Sequence, residues 1–258
     1  MRLDQAMTVH YDVAISGGGP AGLMLGFLLA RVGIQVVVIE KHADFLRDFR
    51  GDTVHPTTID VMDQLGLSDD FLQLPHRRAE KLHAQIGDET ITMADFTRIP
   101  LKHRFIAFMP QWDFLNFIAD KAKSYPNFTL LMNTKVVGLM EKGQSITGVK
   151  VEAEGAEQMI SAGLVVGADG RNSIVRDLAG LEVMNFGEPS EVIWFRLSRK
   201  AEDADISMGH TGPRQGFILI DRGEYWQCGY VVKRTTFEEM RKLPIETFRR
   251  DIERFCPL

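Results

Sequence analysis

Two short β-rich stretches stand near the start of the chain, Tyr11 to Ser16 (YDVAIS) and the near-continuous β-branched run Gln35 to Glu40 (QVVVIE). Between them lie a run of glycines and a segment that is apolar almost all round, Leu23 to Ala30. Strands buried on both faces read as continuous Val/Ile runs, and a helix without a polar face is buried as well. Strand, glycine turn, helix and strand within about 30 residues make a βαβ unit, whose two strands run parallel.

Further on the pattern is mixed. Thr57 to Leu65 has helical spacing and stops at Gly66; Asp113 to Ser124 repeats that spacing and ends before Pro126-Asn127. Lys81 to Ile91 alternates about Gly87-Asp88-Glu89 and predicts a hairpin. Phe105 to Met109, Phe128 to Met132 and Ser145 to Val151 read as strands. Leu164 to Gly167 is again of the buried type and feeds Ala168-Asp169-Gly170. The last third alternates strand-like runs (VIWFRL, GFILI, YWQCGYVV) with charged turns, and an amphipathic stretch follows at Ile245 to Phe255. The expected architecture is α/β. A parallel sheet takes strands near residues 11, 35, 128 and 164, and a mostly antiparallel sheet begins near 181 and recruits the 81–93 hairpin.

Composition narrows the class. At 258 residues the chain makes one large domain or two small ones. With 45% hydrophobic and 25% charged residues it is not a disordered chain. Thirty Lys+Arg against 35 Asp+Glu leave a net charge of −5, no basis for binding nucleic acid or an anionic membrane. Cys228 and Cys256 are too few for a disulfide framework or a four-thiolate zinc site. The longest apolar run, Ala21 to Ala30, falls short of the roughly 20 residues that span a bilayer. The N-terminus lacks the apolar core of a signal peptide. The expectation is a cytoplasmic protein without an integral membrane segment; no oligomeric state is assigned.

The glycine run carries the first chemistry. Gly17, Gly19 and Gly22 match G-x-G-x-x-G around Pro20 and Ala21, and Gly26 extends the spacing. The first glycine permits the tight turn, the second lets a pyrophosphate approach, and the third lets helix and strands lie close. Backbone N–H groups and the positive end of the helix dipole then face the phosphates. Glu40 closes the next strand at the distance, about 20 residues, expected of the acid that grips an adenosine ribose. Its carboxylate would repel a 2′-phosphate, which weighs against NADP and leaves NAD or FAD. The plainer alternative is a glycine turn in an α/β protein that binds no dinucleotide.

Gly167-Ala168-Asp169-Gly170-Arg171-Asn172-Ser173-Ile174-Val175-Arg176 resembles the GADGxxSxVR segment of the flavoprotein aromatic hydroxylases, the single-component FAD-dependent monooxygenases related to p-hydroxybenzoate hydroxylase. Arg50-Gly51 is similar to that family's arginine turn beside the flavin, and Pro110-Gln111 to its FAD-contacting glutamine. The resemblance runs from about Tyr11 to Arg176 and more loosely beyond. It implies a Rossmann-like FAD-binding domain with a mostly antiparallel substrate sheet. The FAD contacts it implies are Gly17, Gly19, Pro20, Ala21, Gly22, Glu40, Lys41, Arg50, Gln111, Val136, Asp169 and Gly170, with Lys41 and Val136 at the adenosine end. It also implies that NAD(P)H reduces FAD and that reduced flavin uses dioxygen to hydroxylate an electron-rich ring. The substrate is then an aromatic or polyketide-like small molecule. No catalytic acid, base or nucleophile is named.

Other features stay structural. His55, His76, His83, His103 and His210 lack metal-ligand spacing, so no metal is expected, and His55 beside Pro56 is read as loop packing, with a substrate contact near the flavin as the alternative. No G-x-S-x-G elbow appears. Cys228 reads as a buried small hydrophobe. Trp112, Trp194 and Trp226 are isolated, unlike the paired tryptophans of flavin halogenases.

The family's second FAD motif, G-D-A-A-H, has no counterpart between Gly180 and Leu258, where Asp221-Arg222-Gly223 reads as a hairpin turn. The chain is therefore expected to be an N-terminal fragment that by itself holds FAD weakly or not at all and leaves apolar sheet surface uncovered. The expected domains are 1–75 with 104–180 for FAD, and 76–103 with 181–258 for an incomplete substrate sheet. The alternatives are a flavin-linked reductase or dehydrogenase of the same fold, and a non-catalytic truncated FAD-binding fragment.

Overall fold

The structure is a computed structural model and describes residues 10–46, 53–87, 89–187, 190–200, 202–203, 208–212 and 215–255. In chain order the first elements are β1 (His10–Ser16), α1 (Pro20–Arg31), β2 (Val36–Ile39), β3 (Thr53–Val54), α2 (Pro56–Gln64) and α3 (Ser68–Phe71). Next come β4 (Arg77–Ala79), β5 (Lys81–Ile86), β6 (Glu89–Asp95), β7 (Ile106–Phe108), α4 (Gln111–Lys123) and β8 (Phe128–Leu131). The middle of the chain holds β9 (Thr134–Lys142), β10 (Ser145–Ala153), β11 (Ala156–Gly167) and α5 (Ile174–Leu178). The last elements are β12 (Ser190–Ser198), β13 (Met208–Gly212), β14 (Gln215–Asp221), β15 (Tyr225–Lys233), α6 (Arg234–Met240) and α7 (Ile245–Phe255). Two compact units result: Met1–Leu46 with Trp112–Met184, and Arg47–Gln111 with Asn185–Leu258.

The first unit is built on a six-stranded sheet of order β8-β2-β1-β11-β10-β9. Its first four strands are mutually parallel, and they are the four that the sequence places near residues 11, 35, 128 and 164. Every residue of β2 and the last four of β1 are buried, which is why these strands carry no polar alternation. Helix α1 lies on one face with Gly26 against it: a Cβ there would sit 2.6 Å from Val38 and 3.0 Å from Phe128. On the other face Ala14, Val37 and Ile39 pack with Val136, Val149 and Val151 of the antiparallel β9–β10 extension. On β11, Leu164 pairs with buried Val13 and yet keeps 56% of its surface exposed.

The second unit has a sheet of order β12-β15-β14-β13-β5-β6, antiparallel except for the parallel β13–β5 pair. The hairpin predicted near 81–93 thus joins the later strands. Phe217, Leu219, Trp226, Cys228, Tyr230 and Val232 fill one face, covered by Phe237, Met240, Phe248 and Ile252 of α6 and α7. Buried Asp221 is held by Arg77 at 2.7 Å, by Arg199 at 3.3 Å and by the Gly223 N–H at 2.7 Å. The Asp-Arg-Gly segment is therefore a braced hairpin turn, as its sequence reads.

Residues 53–75 and 104–111, expected with the FAD part, fall in the second unit. The reason is strand pairing: β3 and β4 both bond to β7, and Ile106 and Phe108 of β7 pack on Ile220 of β14.

Candidate functional site

In the first unit β1 lies between β2 and β11, and Ser16 stands opposite both Ile39 and Gly167, so the three strands end level. From β1 the chain crosses through α1 to β2 on one side, whereas β11 enters on the other. Ligands of open parallel sheets bind outside the carboxyl ends of the strands at such a switch point.

The glycines make the turn from β1 into α1, and each has a different surrounding. Gly17 takes φ +108°, donates its N–H to the Ile39 carbonyl at 2.8 Å, and would place a Cβ 2.4 Å from the Ala168 oxygen. Gly22 would place a Cβ 1.9 Å from the Gly17 oxygen. Gly19 is the opposite case: a Cβ there would meet nothing within 4 Å, and the residue is the N-cap of α1 at φ −76°. Among the described residues no side chain caps α1, and no acid lies in its first turn; Pro20 opens it, and Pro20 and Ala21 are exposed. The helix thus offers an uncapped, positively polarised end beside an open glycine, an arrangement that fits a phosphate.

Glu40 follows β2 directly and is 8% exposed. Its Oε2 accepts the Gly18 N–H at 2.9 Å, and its Oε1 accepts the His42 N–H at 3.0 Å and a hydrogen bond from His42 Nδ1. Burial alone would push this carboxyl up. The hydrogen bonds from the His42 side chain and the Gly18 and His42 amides, together with the His42 charge, outweigh burial and hold it below the usual glutamate range. A lowered native value means that Glu40 stabilises the fold fully above its ordinary pKa, about 4.3, and ceases to do so as pH falls through the lowered value. Glu40→Gln is therefore expected to flatten the acid limb of a melting-temperature profile as pH falls below the ordinary glutamate value of about 4.3. An unchanged acid limb would show that the carboxylate is not stabilised in the native state.

The Asp169-Gly170 turn lies against the glycine turn, with the Ala168 N–H bonded to the Ser16 carbonyl at 2.8 Å. Asp169 turns its carboxylate inward: Oδ2 accepts the Ile174 and Val175 N–H groups at 2.9 and 3.4 Å, and Oδ1 accepts the Ser173 hydroxyl. Ser173 in turn caps the Arg176 N–H at 3.1 Å. The role of the acid in this geometry is to brace the DG turn on α5, while Gly170 takes φ +87° and is exposed.

The structure therefore brings Gly17, Gly19, Pro20, Ala21, Gly22, Glu40, Asp169 and Gly170 to one end of the sheet. Lys41 is exposed beside Glu40, whereas Val136 is 3% exposed and belongs to the core of the β9–β10 extension. Gln111 is the half-buried first residue of α4 and falls in the second unit. Arg50 lies outside the described residues. Two residues that touch Glu40 are additional to the sequence expectation, Gly18 and His42. Their signals are present: three glycines in a row, and the i, i+2 spacing of Glu40 and His42, which in extended chain places side chains on one side. Among the described residues no group of three His, Cys, Asp or Glu side chains could hold a metal ion, and no helix is long and apolar enough to cross a membrane.

Comparison with known families decides what the glycine turn belongs to: the FAD binding domain family matches residues 10–255. The chain belongs to the FAD binding domain family. Among the curated relatives of this FAD-binding chain is 6-methylpretetramide 4-monooxygenase of Streptomyces rimosus, 32% identical over 195 residues, which are 74% of this chain and 46% of that protein. Among solved structures, p-nitrophenol 4-monooxygenase from Pseudomonas putida matches with a TM-score of 0.81 at 20% identity, covering 96% of this chain and 63% of the other. The myxobacterial chondrochloren halogenase matches as well, with a TM-score of 0.81 at 21% identity over 96% of this chain and 58% of the other. The two solved structures show the fold alone, since an oxygenase and a halogenase score alike. The chain spans less than half the length of the curated relatives it matches.

Proposed function

We propose that the chain holds FAD across the carboxyl ends of β2, β1 and β11, and that the whole protein is an NAD(P)H- and dioxygen-dependent monooxygenase of the cytoplasm. Its substrate is an aromatic or polyketide-like small molecule. The observation that carries the cofactor reading is the pairing of two features at one sheet end. One is the open, uncapped start of α1 at Gly19; the other is a buried Glu40 carboxylate fixed beside it by the Gly18 N–H. The amides after Gly19, at Pro20-Ala21-Gly22, receive the pyrophosphate, and Glu40 accepts from the adenosine ribose with Lys41 at its rim. Gly170 offers backbone to the cofactor, and Asp169 holds that turn in place. Val136, buried as it is, contributes by backbone. Gln111 and Arg50 keep the flavin-side role that the resemblance implies.

When bound, FAD supplies the electron transfer from NAD(P)H and the oxygen chemistry. The chain's own residues bind the diphosphate, orient the ribose and close the turn around both. The substrate class rests on the names of the relatives, which act on a pretetramide and, in 3-(3-hydroxy-phenyl)propionate/3-hydroxycinnamic acid hydroxylase, on hydroxylated aromatic acids.

The test has two measurements. FAD titrated against this chain should raise its melting temperature by linkage. The whole protein with FAD should then take up oxygen with NAD(P)H faster when a phenolic compound is added, and release the hydroxylated product. Phenol-independent NAD(P)H oxidation without oxygen incorporation would favour the reductase alternative; no response of the whole protein to FAD would end the cofactor reading.

A further inference from the structure

We propose that His42 is a positioning residue of the adenosine site: its side chain fixes one oxygen of Glu40, so that the carboxylate meets the ribose in a single orientation. This rests on the reading of Glu40 as the ribose acceptor.

The two carboxylate oxygens are held from different places. Oε2 takes the Gly18 N–H from the glycine turn, and Oε1 takes both the backbone N–H and the Nδ1 of His42. A carboxylate only accepts, so Nδ1 is the donor in this contact and carries a proton. The backbone on either side is pinned by the β8–β9 connection. The Glu40 N–H reaches the Leu131 carbonyl at 2.8 Å, the Thr134 N–H reaches the Glu40 carbonyl at 2.9 Å, and the Asn133 N–H reaches the His42 carbonyl at 2.9 Å. The main chain at 40–42 is thus fixed from a neighbouring turn, and the imidazole is aimed from a rigid base. Its side chain remains 45% exposed, so the pair sits where a solute can reach it.

The torsion that swings a carboxylate is broad and roughly two-fold, and only its hydrogen bonds select an orientation. With Gly18 and His42 on opposite oxygens the selection is made before ligand arrives, and binding then avoids the cost of ordering the side chain. Removing the imidazole leaves the Gly18 and His42 amide bonds, so the carboxylate stays in place with its orientation loosened.

The experiment titrates FAD, ADP and FMN against the wild-type chain and four variants, followed by fluorescence and by melting temperature, with ligand carried to millimolar so that weak binding is read. His42→Ala should weaken FAD and ADP about tenfold, the value of one hydrogen bond to a charged group. It should leave FMN, which has no adenosine, unchanged. His42→Asn, which places an N–H donor where Nδ1 stands, should restore affinity to within about twofold of wild type. Glu40→Ala should weaken FAD and ADP at least as much, and adding His42→Ala to it should cost nothing further, because His42 acts through Glu40. If Glu40→Ala weakens FAD while His42→Ala binds as wild type, or if the two losses add in full, His42 does not position Glu40 and the proposal falls alone. If Glu40→Ala leaves FAD and ADP binding intact, or the wild type takes up neither, the ribose reading fails and the proposal with it.

Discussion

Gly22→Ala is expected to unfold the glycine turn. A Cβ at this position would stand 1.9 Å from the Gly17 carbonyl oxygen, 3.1 Å from the Gly17 carbonyl carbon and 3.3 Å from Ile15 Cγ2. The nearest of these is backbone and cannot swing aside as a side chain could. Gly17 itself cannot yield, since it is wedged at φ +108° against Ala168 and bonded to the end of β2. Relief therefore requires α1 to lift off β1, opening the contact that buries Leu23, Gly26 and Phe27. The expected loss is about 3 kcal/mol or more, the upper end of overpacking effects. Thermal and denaturant melts read it directly. A variant that melts within about 2 °C of wild type would show that the helix start is not packed as described.

Gly19→Val separates binding from folding. The side chain enters open space, the backbone at φ −76° and ψ −176° suits any residue, and the only structural change is at the helix cap. Its cost to stability is about 1 kcal/mol or less. The same branched side chain occupies the approach of a pyrophosphate to the first amides of α1, so FAD affinity should fall by tenfold or more, about 1.4 kcal/mol at least. Flavin fluorescence and melting temperature measured on one preparation test both halves. Unaltered FAD binding would place the diphosphate elsewhere; a large loss of stability would mean that Gly19 is not in open space. The two neighbouring glycines thus give opposite signatures, one in folding and one in binding.

Much of this is legible in the sequence. The apolar runs Val13 to Ile15 and Val36 to Ile39 are buried on both faces, so their composition has one reading, and the glycine spacing between them identifies the crossing into α1. The hairpin of β5 and β6 is legible from its turn and joins the second sheet as expected; the strand that attaches it, β13, is not legible, because its short run Met208–Gly212 carries little pattern. The first half of β11 carries no strand signal because all four residues from Ala156 to Met159 are exposed, and β9 carries none because its burial follows no clean alternation. Placing the boundary between the units from sequence alone runs into the same difficulty. Residues 53–54 and 77–79 form strands only through their partner β7, a pairing between distant segments that local composition does not encode.

At the site the division is sharper. The residue types and spacing of Gly17, Gly19 and Gly22 determined the tight turn from β1 into α1, because backbone torsion and steric clearance at Gly17 and Gly22 tolerate few alternatives. The sequence could not say which of these glycines is demanded by packing and which by the ligand. It could not show that Asp169 faces α5, that Val136 lies in the core, or that His42 closes on Glu40. Two of these contacts are short in sequence, Glu40 with His42 and Asp169 with residues 173–175. The backbone that aims them, however, is fixed by distant segments, through the β8–β9 connection and the pairing of β11 with β1, and that support exists only once the sheet has assembled.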